Sequence, residues 1–380
     1  MSLEARLAWR SSFATHIDRL IVNENALQAD GRWLAAGENL RESAEVNLDP
    51  APWCQPSGQA VIALTPDSVQ RQVELVPGRF YPRAVFGTLA GNPRDKRPVR
   101  LLAACAEKCA NSDSFYLDPN HPLATADVRL SLRPAALPAA SGVRLVELFE
   151  GPGMQCPPAD AKTALTYFTA SGFERQDQGS DAAFYATPRL IQHLDAQCRS
   201  AIADLYGRFL HPGQRVLDLM ASTDSHLPAL AGDLQVAGLG MNSEELAANE
   251  RLSEQVVQDL NGGAALPWPD KHFDCVFNTA AIEYLTQPSQ VMSEVRRVLR
   301  PGGIFALTFS DRWFPSKAIR LWSQIHPFER LGLVLSLLQQ AGFSDLHTET
   351  LRGVRRPEKD RYATQRAFSD PLFAVWGRRS

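Results

Sequence analysis

The sequence predicts an α/β protein in which a parallel, doubly wound sheet fills the C-terminal half and a small β-rich domain precedes it. Three observations carry that reading. From about residue 196 onward, short and fully apolar strands alternate with helical stretches, the pattern of a parallel sheet covered on both faces. The N-terminal half instead shows short strands set apart by PGR, GNPRDKRP and DPNHP turns. Between Arg133 and Asp160, the segments RPAALPAASG and EGPGMQCPPAD concentrate Pro, Gly and Ala and mark a joint. The expected division is a β-rich domain at 1–140, a linker at 141–158 and the α/β domain at 159–380.

Taken in order, residues 1–45 read as partly helical, with ENLRESAE the clearest piece. Strands are expected at Gln59 to Leu64, Gln72 to Val76, Val99 to Ala104, Ser114 to Leu117 and Val128 to Leu132, with a short one at Val143 to Phe149 inside the joint. Ala196 to Phe209 places Ile202, Leu205 and Phe209 on one helix face and ends at HPGQ. RVLDL, VAGLG, VVQDL, FDCVFN and GGIFALTFS are the successive strands, with a helix from Pro288 to Leu299 before the last of them. A helix at Phe328 to Ala341, a strand at Ser344 to Leu351 and a final strand LFAVWG at 372–377 complete the chain.

Thirty-nine Lys and Arg against 42 Asp and Glu leave a formal charge of −3. That balance argues against a nucleic-acid partner bound through bulk positive charge and against a polybasic membrane anchor. Hydrophobic residues make up 44% of the chain, enough for a real core. Six cysteines are too few for a disulfide framework. Cys105 and Cys109 form a C-x3-C pair with no second pair nearby, so plain thiols are expected and no metal. Glu4 and Arg6 stand where a signal peptide needs apolar residues, and no apolar run approaches the roughly 18 residues of a membrane span. The expected compartment is the cytoplasm.

VLDL at 216–219, VAGLG about twenty residues later, VVQDLN, LPWPDKHFDCVFNTAAIEYL and RVLRPGG stand in order over about 216–310. They resemble the ordered motifs of class I S-adenosylmethionine-dependent methyltransferases, and LPWPDKHFD followed by RVLRPGG resembles the methyltransferase type 11 group. FYATPRLIQHLD, VLDLMASTDSHLP, GLGMNSEEL, YLTQP and FPSKAIRLW are similar to a little-characterised methyltransferase-like family of bacteria, algae and plants, over about 151–377. The resemblance implies a Rossmann-like, seven-stranded class I methyltransferase sheet with an antiparallel last strand. It also implies S-adenosyl-L-methionine as cofactor and a methyl acceptor, small molecule or protein, that it does not identify.

In such a sheet, ligands bind beyond the carboxyl ends of the strands. Asp218 is an acid inside an apolar strand, costly there unless satisfied. Either it orders the next loop by accepting backbone N–H bonds, or it is a strand-end polar residue at the sheet edge. The resemblance implies that Asp259 accepts the adenine amino group and Leu260 covers the ring. It places Asn278 and Thr279 where acceptor meets methyl group, with Met220, Ser222 and Met241 lining the cofactor. Two departures stand out. The loop Met220-Ala221-Ser222-Thr223-Asp224 has no glycine where the family has several, so it must sit further from the ligand or take another path. Gly240 occupies the place of the acid that takes the ribose hydroxyls, a loss on the order of 1.5–3 kcal/mol. Asn242, Glu244 or Glu245 stand close enough in sequence to compensate, although N-x-x-E from Asn242 also reads as a helix cap.

Methyl transfer is an in-line displacement on a sulfonium, so the protein chiefly aligns the reactants. A base is needed only where the acceptor must lose a proton. His226, Glu283 and Tyr284 are the candidate catalytic residues, with His193 beside them. Tyr185, Arg189 and His193 are expected either to form a polar lid over the cofactor or to be a solvated first turn; Arg189 and His193 share a face if the segment is helical. Asp311, Arg312 and Lys317 follow the fifth strand, and Trp313, Phe314 and Trp322 are expected to wall the pocket or to pack on the N-terminal half.

In the N-terminal half, DPNHPLA before a strand resembles the DGNHPLAG stretch of FKBP-type prolyl isomerases that carry an insert-in-flap domain, over about 60–133. No aromatic isomerase pocket accompanies it, and His121 is expected to be a turn residue. A competing reading keeps the methyltransferase fold as a non-catalytic binding module, on the strength of the missing glycines and the missing acid. A nicotinamide enzyme fits worse, because G-x-G-x-x-G is absent.

Overall fold

The computed structural model describes residues 1–28, 39–40, 44–51, 61–65, 69, 75–86, 97–102, 115–124, 126–150, 168, 171–228, 234–327 and 329–380. Its strands are β1 (Ser2–Arg10), β2 (Ala14–Asn23), β3 (Val46–Leu48), β4 (Ile62–Leu64), β5 (Phe80–Pro82), β6 (Pro98–Leu102), β7 (Phe115–Asp118), β8 (Val128–Pro134), β9 (Arg215–Leu219), β10 (Gln235–Gly240), β11 (Glu254–Val257), β12 (Phe273–Thr279), β13 (Leu299–Phe309), β14 (Phe343–Arg352) and β15 (Leu372–Arg379).

The α/β half forms as its sequence predicts. β9 is buried from Val216 to Leu219 because helices cover both faces, as a central parallel strand requires. The order β11-β10-β9-β12-β13-β15-β14 places β9, the first strand of this half in the chain, between β10 and β12, and β15 runs antiparallel to both neighbours. On one face, the Pro288–Val298 and Glu329–Gln340 helices bury Val291, Met292, Val295, Leu331, Leu335 and Leu338 against Phe305 and Phe343. On the other, the Ala196–Gly207 helix buries Ile202, Leu205 and Tyr206 against Phe277 and Ala306. Each such side chain removed from water contributes roughly 1.5–3 kcal/mol.

The N-terminal half departs from expectation at its start. Residues 2–23 form a hairpin, β1 and β2, where partial helix was expected. The cause is a period of two: Leu3, Ala5, Leu7 and Trp9 point one way and are all buried. Glu4 and Arg6 between them have high helix propensity, and pairing overrides it. Half of the ENLRESAE piece lies outside the described residues. β2 then pairs in parallel with β14, from Leu346↔Ala14 to Arg352↔Leu20. The sheet thus continues as β14-β2-β1-β8-β3, eleven strands in all among the described residues.

Val143 to Phe149 is not a strand. It turns into a short Glu147–Glu150 helix that buries Leu145, Leu148 and Phe149, a helical spacing. Four short strands form a separate antiparallel sheet, β4-β7-β6-β5, over Tyr81, Phe86, Val99, Leu101 and Leu117. They match the expected strands near 59–64, 99–104 and 114–117 within a few residues. Gln72 to Val76, Cys105, Cys109 and residues 151–158 of the linker lie largely or wholly outside the described residues. His121 is a turn residue: its Nδ1 accepts the Leu123 N–H, and its Nε2 lies 3.0 Å from the Phe149 carbonyl. Among the described residues, no helix is long and apolar enough to cross a membrane, and no cluster of His, Cys, Asp or Glu could hold a metal.

Candidate functional site

A cavity of about 230 Å³ opens beyond the carboxyl ends of the parallel strands. Its wall draws on the segments after β9, β10, β11, β12 and β13, so it sits where the topology of such a sheet directs ligands. Tyr185, Arg189, Asp218, Met220, Ser222, Gly240, Met241, Asn242, Asp259 and Leu260 all line it, as do His226 and Tyr284. Glu283 and Asn278 do not. Each is about 1% exposed. Asn278 Nδ2 donates to the Leu219 carbonyl behind the wall.

The glycine-free loop takes another path. Met220 adopts φ +63, the left-handed conformation that glycine usually supplies. The chain then turns so that the Ala221 N–H donates to the Leu239 carbonyl at 2.7 Å. This brings the Ala221 carbonyl against Gly240, where a Cβ would land inside it. The acid missing from the end of β10 therefore has no room: loop path and glycine explain each other. His226 (φ +53) and Ala280 (φ +50) also line the cavity, so three of the five left-handed non-glycine residues described border one site. Such strain, of order 1–3 kcal/mol each, collects at functional sites.

Asp218 is buried, and burial pushes its carboxyl up to about 6; Ser225 and His226 pull it partly back. Its Oδ2 has no hydrogen-bond partner, and no loop N–H satisfies it. An orphaned buried oxygen at a cavity wall is what a ligand donor would complete.

Asn242 caps the Ser243–Ala248 helix: its Oδ1 accepts from the Glu244 and Glu245 N–H groups, at 2.9 and 3.1 Å. Its Nδ2 donates to the Tyr185 and Ala186 carbonyls. The Glu245 carboxylate accepts from the Arg189 N–H at 2.7 Å and from Ser222 Oγ at 2.6 Å. Cap and carboxylate together tie the segment around Tyr185 and Arg189 to the loop after β9. Asp259 Oδ1 accepts the Asn261 N–H.

Residues 181–194 border the cavity, and the segment is irregular rather than helical between Arg189 and His193. The Arg189 guanidinium lies 4.8 Å from the centre of the Phe184 ring, 5.3 Å from Phe314 and 5.6 Å from Tyr185. The segment is anchored by Asp181, whose carboxylate takes both Arg175 Nη1 bonds and one from Asn261 Nδ2. Lys317, fully buried, stands 3.1 Å from Asp181 and donates to the Gly179 carbonyl. Sequence reasoning missed Asp181 and Asn261 as anchors, because their partners lie 80 residues apart. Trp313 and Phe314 line the cavity, while Trp322 packs inside on Phe309.

His226 Nδ1 stands 3.2 Å from Asp224 Oδ2. Asp224 also accepts from Gln192 Nε2 and the His226 N–H, and His226 beside it lowers its carboxyl pKa. Tyr284 Oη accepts the Phe314 N–H, and burial raises the phenol well above its usual range. Glu283 is pushed up to about 7 by burial, partly offset by Arg330.

Residues 217–307 match the family described as Methyltransferase domain. The chain is 29% identical over 209 residues to the ubiquinone/menaquinone biosynthesis C-methyltransferase UbiE of Erwinia tasmaniensis, covering 50% of this chain and 82% of that one. It is 28% identical over 165 residues to the sterol 24-C-methyltransferase ERG6B of Gibberella zeae, covering 37% and 42%. Among solved structures, it is similar to the [4+2]-cyclase SpnF with a TM-score of 0.35 and 20% identity, over 52% of this chain and 92% of that one. Residues 217–307 thus carry a methyltransferase domain of type 11, and the curated relatives of the chain are methyltransferases.

Proposed function

We propose that the cavity beyond β9 binds S-adenosylmethionine and delivers its methyl group to an acceptor, small molecule or protein, that enters beneath the lid between residues 181–194 and the loop after β13. The observation that carries this reading is the unpaired Asp218 Oδ2 at an open cavity, where Met220 and Met241 are wall and not plug. When bound, the cofactor supplies an activated methyl group on a sulfonium. The residues of the chain do the rest. Asp259 and Leu260 hold the adenine end, Asp218 faces the polar part of the nucleoside, and Tyr185 and Arg189 close over it. Alignment is the main catalytic contribution, because charge falls as the methyl moves.

Where the acceptor must lose a proton, His226 is the best-placed base. It lines the cavity, the Asp224 carboxylate stands 3.2 Å from its Nδ1, and Asp224 Oδ1 accepts the His226 backbone N–H. Glu283 is walled off, and the raised phenol of Tyr284 makes it a poor base. The curated relatives named above are C-methyltransferases, which favours a carbon atom as acceptor. The free thiols Cys198 and Cys275 suit the reducing cytoplasm.

The test uses the full chain with methyl-tritiated S-adenosylmethionine and separate small-molecule and protein fractions of a cell extract. Label should pass to one fraction and fall sharply with Asp259→Ala. Label remaining entirely on the cofactor in both fractions contradicts the reading and favours a binding module.

A further inference from the structure

The cofactor reading leaves two cations unused: Arg312, in the wall contributed by the loop after β13, and Arg361, exposed on the neighbouring connection between β14 and β15. Arg312 lines the cavity, and its guanidinium carbon lies 4.8 Å from the centre of the Tyr362 ring. Arg361 lies 4.8 Å from the same ring. One aromatic side chain, supplied by the long connection between β14 and β15, thus brings two guanidiniums together.

Neither has a committed counter-ion. The nearest carboxylate oxygen to Arg312 is Asp370 Oδ1 at 3.8 Å, and Arg356 Nη2 already binds that oxygen. Asp370 is further engaged through Oδ2 by the Asp195 N–H. Arg361 makes no ion pair among the described residues. Asp311, the other acid on this loop, stands 4.0 Å from Arg366; burial and Asp370 raise its carboxyl, and Arg366 and Arg312 offset part of that rise. The field of the pair reaches His193 across the cavity. Burial lowers that imidazole first, Glu245 raises it, and Arg189, Arg361 and Arg312 lower it further.

Beside the pair, Trp313 offers an apolar surface. Arg330 stacks 4.4 Å from its ring, and the indole borders the cavity. Two forked donors next to an aromatic wall match a planar or tetrahedral oxyanion carried on an apolar body.

We propose that Arg312 and Arg361 recognise the methyl acceptor through an anionic group, carboxylate or phosphate, while its apolar body lies against Trp313. The inference rests on the methyltransferase reading for the meaning of acceptor, but anion binding can be measured without it.

The experiment titrates the full chain with benzoate, phenyl phosphate and benzyl alcohol, with and without saturating S-adenosylhomocysteine, by calorimetry. Benzoate or phenyl phosphate should bind at least tenfold tighter than benzyl alcohol, and the tighter of the two identifies the anion class. The advantage should weaken with added salt, vanish in the double variant Arg312→Gln and Arg361→Gln, and return in part with Arg312→Lys. Equal binding of all three probes, or a preference that survives the double variant, overturns the inference. Silence of S-adenosylhomocysteine contradicts the methyltransferase reading whatever the anions do. Anion indifference beside bound S-adenosylhomocysteine contradicts this inference alone.

Discussion

At the scale of single residues, Met220 and Gly240 have exchanged conformational duties. Met220 takes the left-handed turn, and Gly240 gives way to the carbonyl that this turn brings in. Substituting Gly240→Ala forces backbone to move and should cost about 1–3 kcal/mol of stability while weakening cofactor binding. Met220→Gly relieves about 1–2 kcal/mol of left-handed strain and adds a comparable chain-entropy cost, leaving stability nearly unchanged. Denaturant unfolding of both variants checks the contrast, and equal destabilisation would contradict it. His226→Asn should lower kcat by about 10²-fold for an acceptor that loses a proton, with little change in KM. A KM effect alone in steady-state kinetics would remove His226 as the base. Asp218 was conspicuous in the sequence as an acid inside an apolar strand, whereas Asp259 was singled out through the family resemblance. The role of Gly240 was not, since it depends on a carbonyl that a loop nineteen positions earlier carries into place.

At the scale of elements, the hairpin holds the sheet together at what would otherwise be its open edge. A chain of charges crosses that seam: Arg133 and Arg19 bind Glu4, and Arg19 and Arg208 bind Glu349. Arg208 and Arg19 depress the Glu349 carboxyl despite its burial. A depressed acid stabilises above its unfolded pKa and loses that contribution as pH falls, so the seam loosens in acid. Glu349→Ala should cost about 2–3 kcal/mol, near the low end for a broken buried pair because Arg208 is half-exposed. Thermal unfolding at pH 7 checks it, and an unchanged midpoint would show the seam to be held by strand pairing alone.

Glu329 behaves oppositely. Burial pushes it from 4.5 to about 8, although the His326 and Phe80 N–H groups donate to it. A raised acid stabilises below its unfolded pKa and loses that contribution as pH climbs toward the folded value. Stability should therefore decline between about pH 5 and 8, and Glu329→Gln should flatten that decline. An identical pH profile in the variant would contradict it. The hairpin escaped sequence reading because Glu4 and Arg6 mask an alternation that only partner strands make visible. Glu329 escaped because its partner Phe80 belongs to a different sheet.

At the scale of the molecule, the α/β half was legible almost strand by strand. Fully apolar segments flanked by turns can be little else when helices alternate with them. What the sequence could not show is the continuity of the sheet: β2 docks on β14, so the N-terminal hairpin and the methyltransferase sheet share one hydrogen-bonded surface. The most direct check is calorimetric titration of the full chain with S-adenosylhomocysteine. One-to-one binding with a micromolar constant, weakened about tenfold by Asp218→Asn, is the expected result. No heat of binding at millimolar ligand would contradict the assignment of this cavity to the cofactor.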